Sequence, residues 1–240
     1  MKLISFLRSL IVVLVLFPLV TFCLGLSGVI VTLITGRRNF IQKNVMIWAK
    51  STLFLFNVHI VERGRENLSE SGCLYLFNHT SFMDIFVIAA HIEKVSFGAK
   101  EELFRIPIFS QSMKAAGMLP ISRGNKEKVI KVYKEAEERA RMGEQFALSP
   151  EGSRNFEEKL LPFKRGPFIF AINSGIPIAP VVIKGASKVW PKGALVPAYR
   201  NWSHTIEVLY LPRVSVDGLS VNDREMLSEK VRQQMLPYFS

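Results

Sequence analysis

The stretch CLYLFNHTSFMDIFVIAA, residues 73–90, decides the fold class. Its first five residues, Cys73 to Phe77, form an unbroken apolar run without polar alternation. Such a run suits a short strand buried on both faces. A polar segment follows, Asn78-His79-Thr80-Ser81, and Asp84 to Ala90 then has the pattern of a helix. A strand that exits through a polar turn into a helix is the first half of a crossover unit, and crossover units build parallel sheets.

Outward from this stretch the alternation repeats. Upstream, Val58–Val61 is a short strand ended by Arg63-Gly64. Downstream, Val95–Ala99 is a strand, and Glu101–Ala116 is helical with a break at Pro107. Met118–Ile121 is a strand whose Pro120 predicts an edge position. Lys126–Arg141 is the clearest helix: Val129, Val132, Tyr133, Ala136 and Ala140 share one face, and charges cover the rest. Asn125 suits its N-cap and Gly143 its C-terminal stop. Gln145–Ser149 is a strand, Pro167–Ser174 a helix closed by Gly175, and Ile178–Ile183 and Thr205–Leu211 are strands. Ser220 to Asp223 resembles a capping box that opens a last helix carrying Leu227, Val231 and Met235. The expected fold is α/β, with a largely parallel central sheet flanked by helices. Ligands of such sheets bind beyond the carboxyl ends of the strands, and the polar clusters lie there, after Phe77, Ile121 and Ser149.

The N-terminal region is different. No charged residue occurs between Ser9 and Thr35. At about 1.5 Å per residue, that run exceeds a hydrocarbon layer of about 30 Å. It is also longer than a signal-peptide core of about 7–15 residues. Basic residues flank both ends, Lys2 and Arg8 on one side and Arg37, Arg38 and Lys43 on the other. Pro18, Gly25 and Gly28 are positions where the helix can bend or split. Phe40–Phe56 follows as an amphipathic helix at the interface, with Ile41, Val45, Trp48 and Thr52 at helical spacing. A hairpin entering one leaflet accounts for two basic ends, and a single span is the alternative. Residues 1–57 are therefore expected to form membrane-anchoring helices, and residues 58–240 the α/β domain. That domain is expected on the cytoplasmic face.

The 240 residues are 49% hydrophobic and 21% charged, which excludes a disordered or fibrous class. The net charge of +11 draws phosphate-bearing partners, and the apolar N-terminus favours a membrane surface over nucleic acid. Two cysteines, Cys23 and Cys73, give neither a disulfide framework nor metal-ligand spacing. The histidines, His59, His79, His91 and His204, are scattered, so no metal site is expected.

Several short blocks carry chemistry. In Asn78–Asp84, an imidazole able to take a proton near neutral pH lies five residues from a carboxylate that can orient it. Taken alone this spacing is weak, because a histidine bonded to a nearby helix start explains it as well. In Ser149-Pro-Glu-Gly-Ser-Arg154, a glycine at a strand exit lets backbone N–H groups approach an anion, and Arg154 adds a forked positive charge. Gly117–Arg123 is another strand ending in an arginine. Phe163-Lys-Arg-Gly166 is a basic turn before a helix, a favourable place for phosphate. Ile176–Val181 holds no reactive group and suits a core strand.

In order and spacing, these blocks resemble those of the 1-acylglycerol-3-phosphate acyltransferase family within the glycerolipid acyltransferases. The family's N-H-x₄-D, G-x-x-x-I-x-R and P-E-G-[ST]-R blocks and its apolar two-proline block match Asn78–Asp84, Gly117–Arg123, Pro150–Arg154 and Ile176–Pro180. Ser149 and Pro120 stand where the family often has aromatic residues. The resemblance implies transfer of a fatty acyl group from an acyl thioester, on coenzyme A or acyl carrier protein, to the sn-2 hydroxyl of lysophosphatidic acid. The product would be phosphatidic acid, for phospholipid biosynthesis. It implies His79 as general base and Asp84 as its orienting partner. Lys100, Arg123, Glu151, Gly152, Ser153 and Arg154 would bind substrate. A thioester is already activated, so no metal or other cofactor is implied. The partners are membrane lipids, the lysophospholipid acceptor and, for one donor type, acyl carrier protein; no nucleic acid is expected. Other acceptors, such as glycerol-3-phosphate or another lyso-lipid, stay open, as does a non-enzymatic protein binding anionic membranes. A serine hydrolase is disfavoured because no G-x-S-x-G elbow occurs.

Overall fold

The computed structural model describes residues 2–239, apart from Arg123, Phe156, Glu158, 195–196 and 198–200. The chain opens with α1 (Lys2–Ile11), a π-helical segment (Val12–Leu16) and α2 (Phe17–Thr35). Together they form one apolar helix, Leu3–Thr35, of 33 residues. The π segment ends two residues before Pro18, whose missing N–H breaks the regular ladder, and the helix continues through it. Gly36, at φ 68°, closes α2, and α3 (Asn39–Leu55) runs back alongside it. Gly25 and Gly28 mark close approaches within the continuous helix. A Cβ at Gly28 would lie 2.9 Å from Ile41 on α3, and one at Gly25 would lie 2.9 Å from Ser112.

The remainder alternates as β1 (Val58–Arg63), β2 (Leu74–Phe77), α4 (Met83–His91), β3 (Val95–Lys100), α5 (Phe109–Ala115), β4 (Leu119–Ile121), α6 (Lys126–Arg141), β5 (Gln145–Leu148), α7 (Gly166–Ser174), β6 (Ile178–Lys184), α8 (Ala186–Val189), β7 (His204–Tyr210) and α9 (Arg224–Met235). Among the described residues the strands make one sheet in the order β1-β7-β6-β2-β5-β3-β4. The pairings are parallel except β6 with β7. The central strands β2 and β5 are buried on both faces, and β6 is buried up to its last residue, Lys184. The continuous apolar runs reflect this double burial. Strand β4, with Pro120, lies at an edge, where a missing N–H is tolerated.

Two apolar layers sandwich the sheet. On one face Tyr75, Phe77, Ala179 and Val181 meet Phe86 and Val87 of α4. On the other Leu74, Leu76 and Phe146 meet Ala136 of α6, Phe170 of α7 and Leu227 of α9. The expected helix Lys126–Arg141 has those bounds, and the Asn125 side chain caps it by accepting from the Lys128 amide. The expected helix Glu101–Ala116 is shorter: Glu101–Arg105 forms a 3₁₀ turn and only Phe109–Ala115 is α-helical. Pro107 separates the two, since it cannot donate to a continuing ladder.

The N-terminal helices share the domain's core. Val12, Ala49, Leu53 and Phe56 are buried in the same cluster as α4. The long helix also touches the domain at intervals along its length. The Arg8 guanidinium sits 4.3 Å over the Trp202 ring. Phe17 packs edge-on to Phe86 at 5.8 Å. Within the N-terminal pair, the Trp48 indole N–H of α3 donates to Thr21 Oγ1 at 2.8 Å. Beyond the helix, Arg38 donates to the Ala115 carbonyl at 3.0 Å. The opposite face is bare: Leu3, Leu7, Ile11, Leu14, Phe22, Ile30 and Leu33 are exposed.

Candidate active site

Strands β2 and β5 are parallel neighbours, so the loops that follow them leave the sheet side by side. The β2 loop is fixed first by Asn78. Its side-chain amide donates to the Ile183 carbonyl at 2.9 Å and its oxygen accepts the Ile183 N–H at 2.8 Å. Both bonds are buried, and they tie the strand end to β6. The next residue, His79, is therefore held at the carboxyl edge of the sheet.

The chain then turns into α4. The Ser81 hydroxyl accepts the Met83 amide at 3.1 Å and donates to the Trp190 carbonyl at 2.7 Å. Asp84 lies in the first turn of α4, where the helix dipole favours a negative charge. Its Oδ2 accepts the Thr80 amide at 2.8 Å, the Ser81 amide at 2.9 Å and His79 Nδ1 at 2.9 Å. An oxygen already accepting two backbone N–H groups is an acceptor toward the ring, so Nδ1 carries the hydrogen. The lone pair then belongs to Nε2. The Asp84 side chain is fully buried, whereas 16% of the His79 side chain is exposed. Phe77 packs against the imidazole at 5.6 Å. A fixed, partly open imidazole with a defined tautomer can take a proton from a hydroxyl placed at Nε2.

The β5 loop closes on this turn. Glu151, almost wholly buried, accepts the His79 amide at 3.1 Å and the Leu161 amide at 3.3 Å, one on each carboxylate oxygen. The Asn155 amide donates to the His79 carbonyl at 2.7 Å. Burial pushes the Glu151 carboxyl up to about 7; the two amide bonds oppose the rise, and the nearby Asp84 charge adds to it. Gly152 has φ 74°, a conformation that favours glycine and lets the loop turn back toward Lys164.

The structure thus brings His79, Asp84 and Glu151 into one hydrogen-bonded unit, with Gly152, Ser153 and Arg154 continuing the same loop. Lys100 is exposed at the end of β3, the strand beside β5. It shares the carboxyl edge. Arg123 lies outside the described residues. Both Glu151 oxygens face backbone amides, so this side chain holds the two loops together. Asn78, Ser81 and Lys192 were not singled out from sequence. The Lys192 amine donates to the Arg154 carbonyl at 2.8 Å, an arrangement made by the segment after β6 that no local motif announces. Asn78 preceded the histidine in the quoted block, and that adjacency was the available signal. Among the described residues no group of three or more His, Cys, Asp or Glu is placed to hold a metal ion.

A family model described as Acyltransferase matches residues 59–184. A chloroplastic 1-acyl-sn-glycerol-3-phosphate acyltransferase of Brassica napus is 31% identical over 191 residues, covering 73% of this chain and 55% of the relative. A 1-acyl-sn-glycerol-3-phosphate acyltransferase of Helicobacter pylori is 26% identical over 219 residues, covering 90% of each. The chain spans about half the length of the first plant relatives it matches, 55% and 45%. Among solved structures, the 1-acyl-sn-glycerophosphate acyltransferase PlsC of Thermotoga maritima superposes with a TM-score of 0.75 at 23% identity, covering 99% of this chain and 92% of that one.

Proposed function

The chain belongs to the acyltransferase family, and from that premise we propose that it transfers a fatty acyl group from a thioester to the sn-2 hydroxyl of lysophosphatidic acid. The observation that carries this reading is the His79 Nδ1–Asp84 Oδ2 bond of 2.9 Å beside the Pro150–Arg154 loop. The relatives' names supply the acceptor. His79 Nε2 removes the proton from the acceptor hydroxyl, whose oxygen attacks the thioester carbonyl. Asp84 keeps the ring oriented and stabilises the imidazolium that forms. The proton then passes to the departing thiolate. The acceptor alcohol is itself the nucleophile, so no enzyme nucleophile is needed.

The acceptor phosphate is held by fixed positive charge, for which Arg154, Lys100 and Arg123 are the candidates. Arginine is suited to this because its guanidinium pairs two oxygens of a phosphate at once. Glu151 serves the reaction by holding the His79 amide and the Leu161 loop. Gly152 and Ser153 shape the acceptor loop.

The bare apolar face of the long helix supports attachment to a membrane. Because Arg8, Phe17 and Gly25 all meet the α/β domain, the reading is that the helix lies within one leaflet with Leu7, Leu14 and Phe22 toward the lipid, and a single span is the alternative. The catalytic domain then sits on the cytoplasmic face, where positively charged flanks are favoured. An acyl-transfer assay with purified full-length protein tests the reading, offering several lyso-acceptors and glycerol-3-phosphate against coenzyme A and carrier-protein donors. Preferential conversion of lysophosphatidate to phosphatidate supports it. Turnover of another acceptor in its place, or no transfer from either donor, would contradict it.

A further inference from the structure

Between β3 and α5 the chain does something the active-site geometry does not require. Residues 103–109 read Leu-Phe-Arg-Ile-Pro-Ile-Phe, and this apolar segment faces outward. Ile106 is 46% exposed and Ile108 39% exposed. Ile108 also has φ 66° and ψ −51°, and the Phe109 amide donates back to the Pro107 carbonyl at 2.7 Å. These are the marks of the left-handed γ-turn, a rare conformation and a strained one for a β-branched residue. Exposing an isoleucine at a strained position gains nothing in water. Such strain is retained where a surface has a use.

The position of the segment identifies that use. It begins one turn after Lys100, the β3 residue assigned above to the acceptor phosphate. It ends in α5, which packs on the long apolar helix where Ser112 meets Gly25. Exposed Phe22 of α2 lies one helical turn from that crossing. The apolar loop therefore extends the lipid-facing stripe toward the site. Arg105 within the segment and Lys114 on α5 are both exposed, and both charges suit lipid phosphates at the level of the headgroups.

We propose that residues 103–109 form a second membrane-inserted element, which enters the acyl-chain region of the same leaflet as the long helix and hands the lysolipid from the bilayer to Lys100. This proposal rests on the lysolipid reading above for its hand-over step, and on exposure, turn geometry and packing for insertion. Once the loop is seated in lipid, an acceptor diffusing laterally reaches the carboxyl edge of the sheet without its acyl chain crossing water.

The test labels full-length protein at Ile106→Cys with an environment-sensitive fluorophore, in a Cys23→Ser background because the other cysteine, Cys73, is buried. The vesicles combine phosphatidylglycerol with phosphatidylethanolamine and carry spin-labelled acyl chains. A label at Met142→Cys serves as reference, since Met142 is exposed at the end of α6, away from the carboxyl edge. The expected result is quenching of the Ile106 label by the spin-labelled lipid at least twofold above the reference, with protection from aqueous iodide. Equal quenching of the two labels by iodide, without lipid quenching at Ile106, overturns insertion. No turnover is needed for this readout, so its failure is separate from failure of the proposed reaction. In a second arm, Ile106→Asp is expected to raise the KM for bilayer-embedded long-chain acceptor about tenfold while leaving kcat on a short-chain soluble acceptor unchanged. An unchanged bilayer KM overturns the hand-over role.

Discussion

The two ends of the parallel sheet both hold buried polar groups, yet only one is arranged for chemistry. At the amino end, the Tyr75 hydroxyl accepts the Ser69 amide at 3.0 Å and donates to Gln145 Oε1 at 2.8 Å. The Gln145 amide donates to the Glu93 carbonyl at 3.3 Å, and the Cys73 thiol to the Pro177 carbonyl at 3.4 Å. Burial pushes both the Cys73 thiol and the Tyr75 hydroxyl up to about 12, which keeps each neutral. These bonds join neutral groups only, and the Arg213 charge beside Ser69 holds both rises back slightly. At the carboxyl end two carboxylates, Asp84 and Glu151, are buried on backbone amides, and an imidazole stands partly open above them. Buried polarity alone makes a fastening. A site requires in addition a charge held in place and a group that can exchange a proton with the outside.

That contrast can be broken most forcefully at Asp84. Asp84→Asn is expected to lower turnover by about 10²–10⁴-fold, since the ring loses its orienting carboxylate. The same change weakens two backbone hydrogen bonds, so chemical denaturation should show a loss of about 1–3 kcal/mol. Full activity, or a loss of stability alone, would make the carboxyl end resemble the amino end. Next, Arg154→Ala is expected to raise the acceptor KM by about 10–100-fold, the equivalent of a charge-assisted hydrogen bond of about 1.5–3 kcal/mol, with a smaller change in kcat. Steady-state kinetics with varied acceptor would check it.

A subtler effect concerns Glu151. Its folded value of about 7 lies above the ordinary 4.5. Ionisation therefore opposes the folded state, with no effect below the ordinary value and the full effect above the folded one. Thermal melts of wild type and Glu151→Gln should diverge in favour of the glutamine variant as pH rises from about 5 to about 8. A constant difference would contradict the raised carboxyl. The smallest effect on activity is expected at the amino end: Tyr75→Phe should cost about 1–3 kcal/mol of stability by orphaning Ser69 N–H, with kcat and KM unchanged. A kinetic defect there would erase the distinction between the ends.

The carboxyl-end cluster was legible in the sequence to an unequal degree. The strand–turn–helix of residues 73–90 announced itself by its apolar run, and the five-residue separation of His79 and Asp84 suits a ring bonded to the first turn of the next helix. The bridge that Glu151 makes to the His79 amide was hidden. The resemblance offered Glu151 as a substrate contact, and only the parallel pairing of β2 with β5 puts the His79 amide within its reach. Likewise Gly25 and Gly28 suggested bends, because sequence does not state which neighbour a missing Cβ admits. The pairing of β1 with β7 joins Val58 to His204, a contact between distant segments that no local pattern encodes. The γ-turn at Ile108 was equally invisible, since an isoleucine gives no warning of a positive φ.

The central claim is that one imidazole, oriented by one carboxylate, removes the acceptor proton. Single-turnover acyl transfer by purified His79→Ala in lipid vesicles, with acceptor binding measured in the same sample, tests it most directly. The account expects the transfer rate to fall by about 10²–10⁴-fold while acceptor affinity and melting temperature stay near wild type. A folded variant that still transfers acyl groups within about threefold of the wild-type rate would contradict it, because general-base removal is worth at least about 10²-fold.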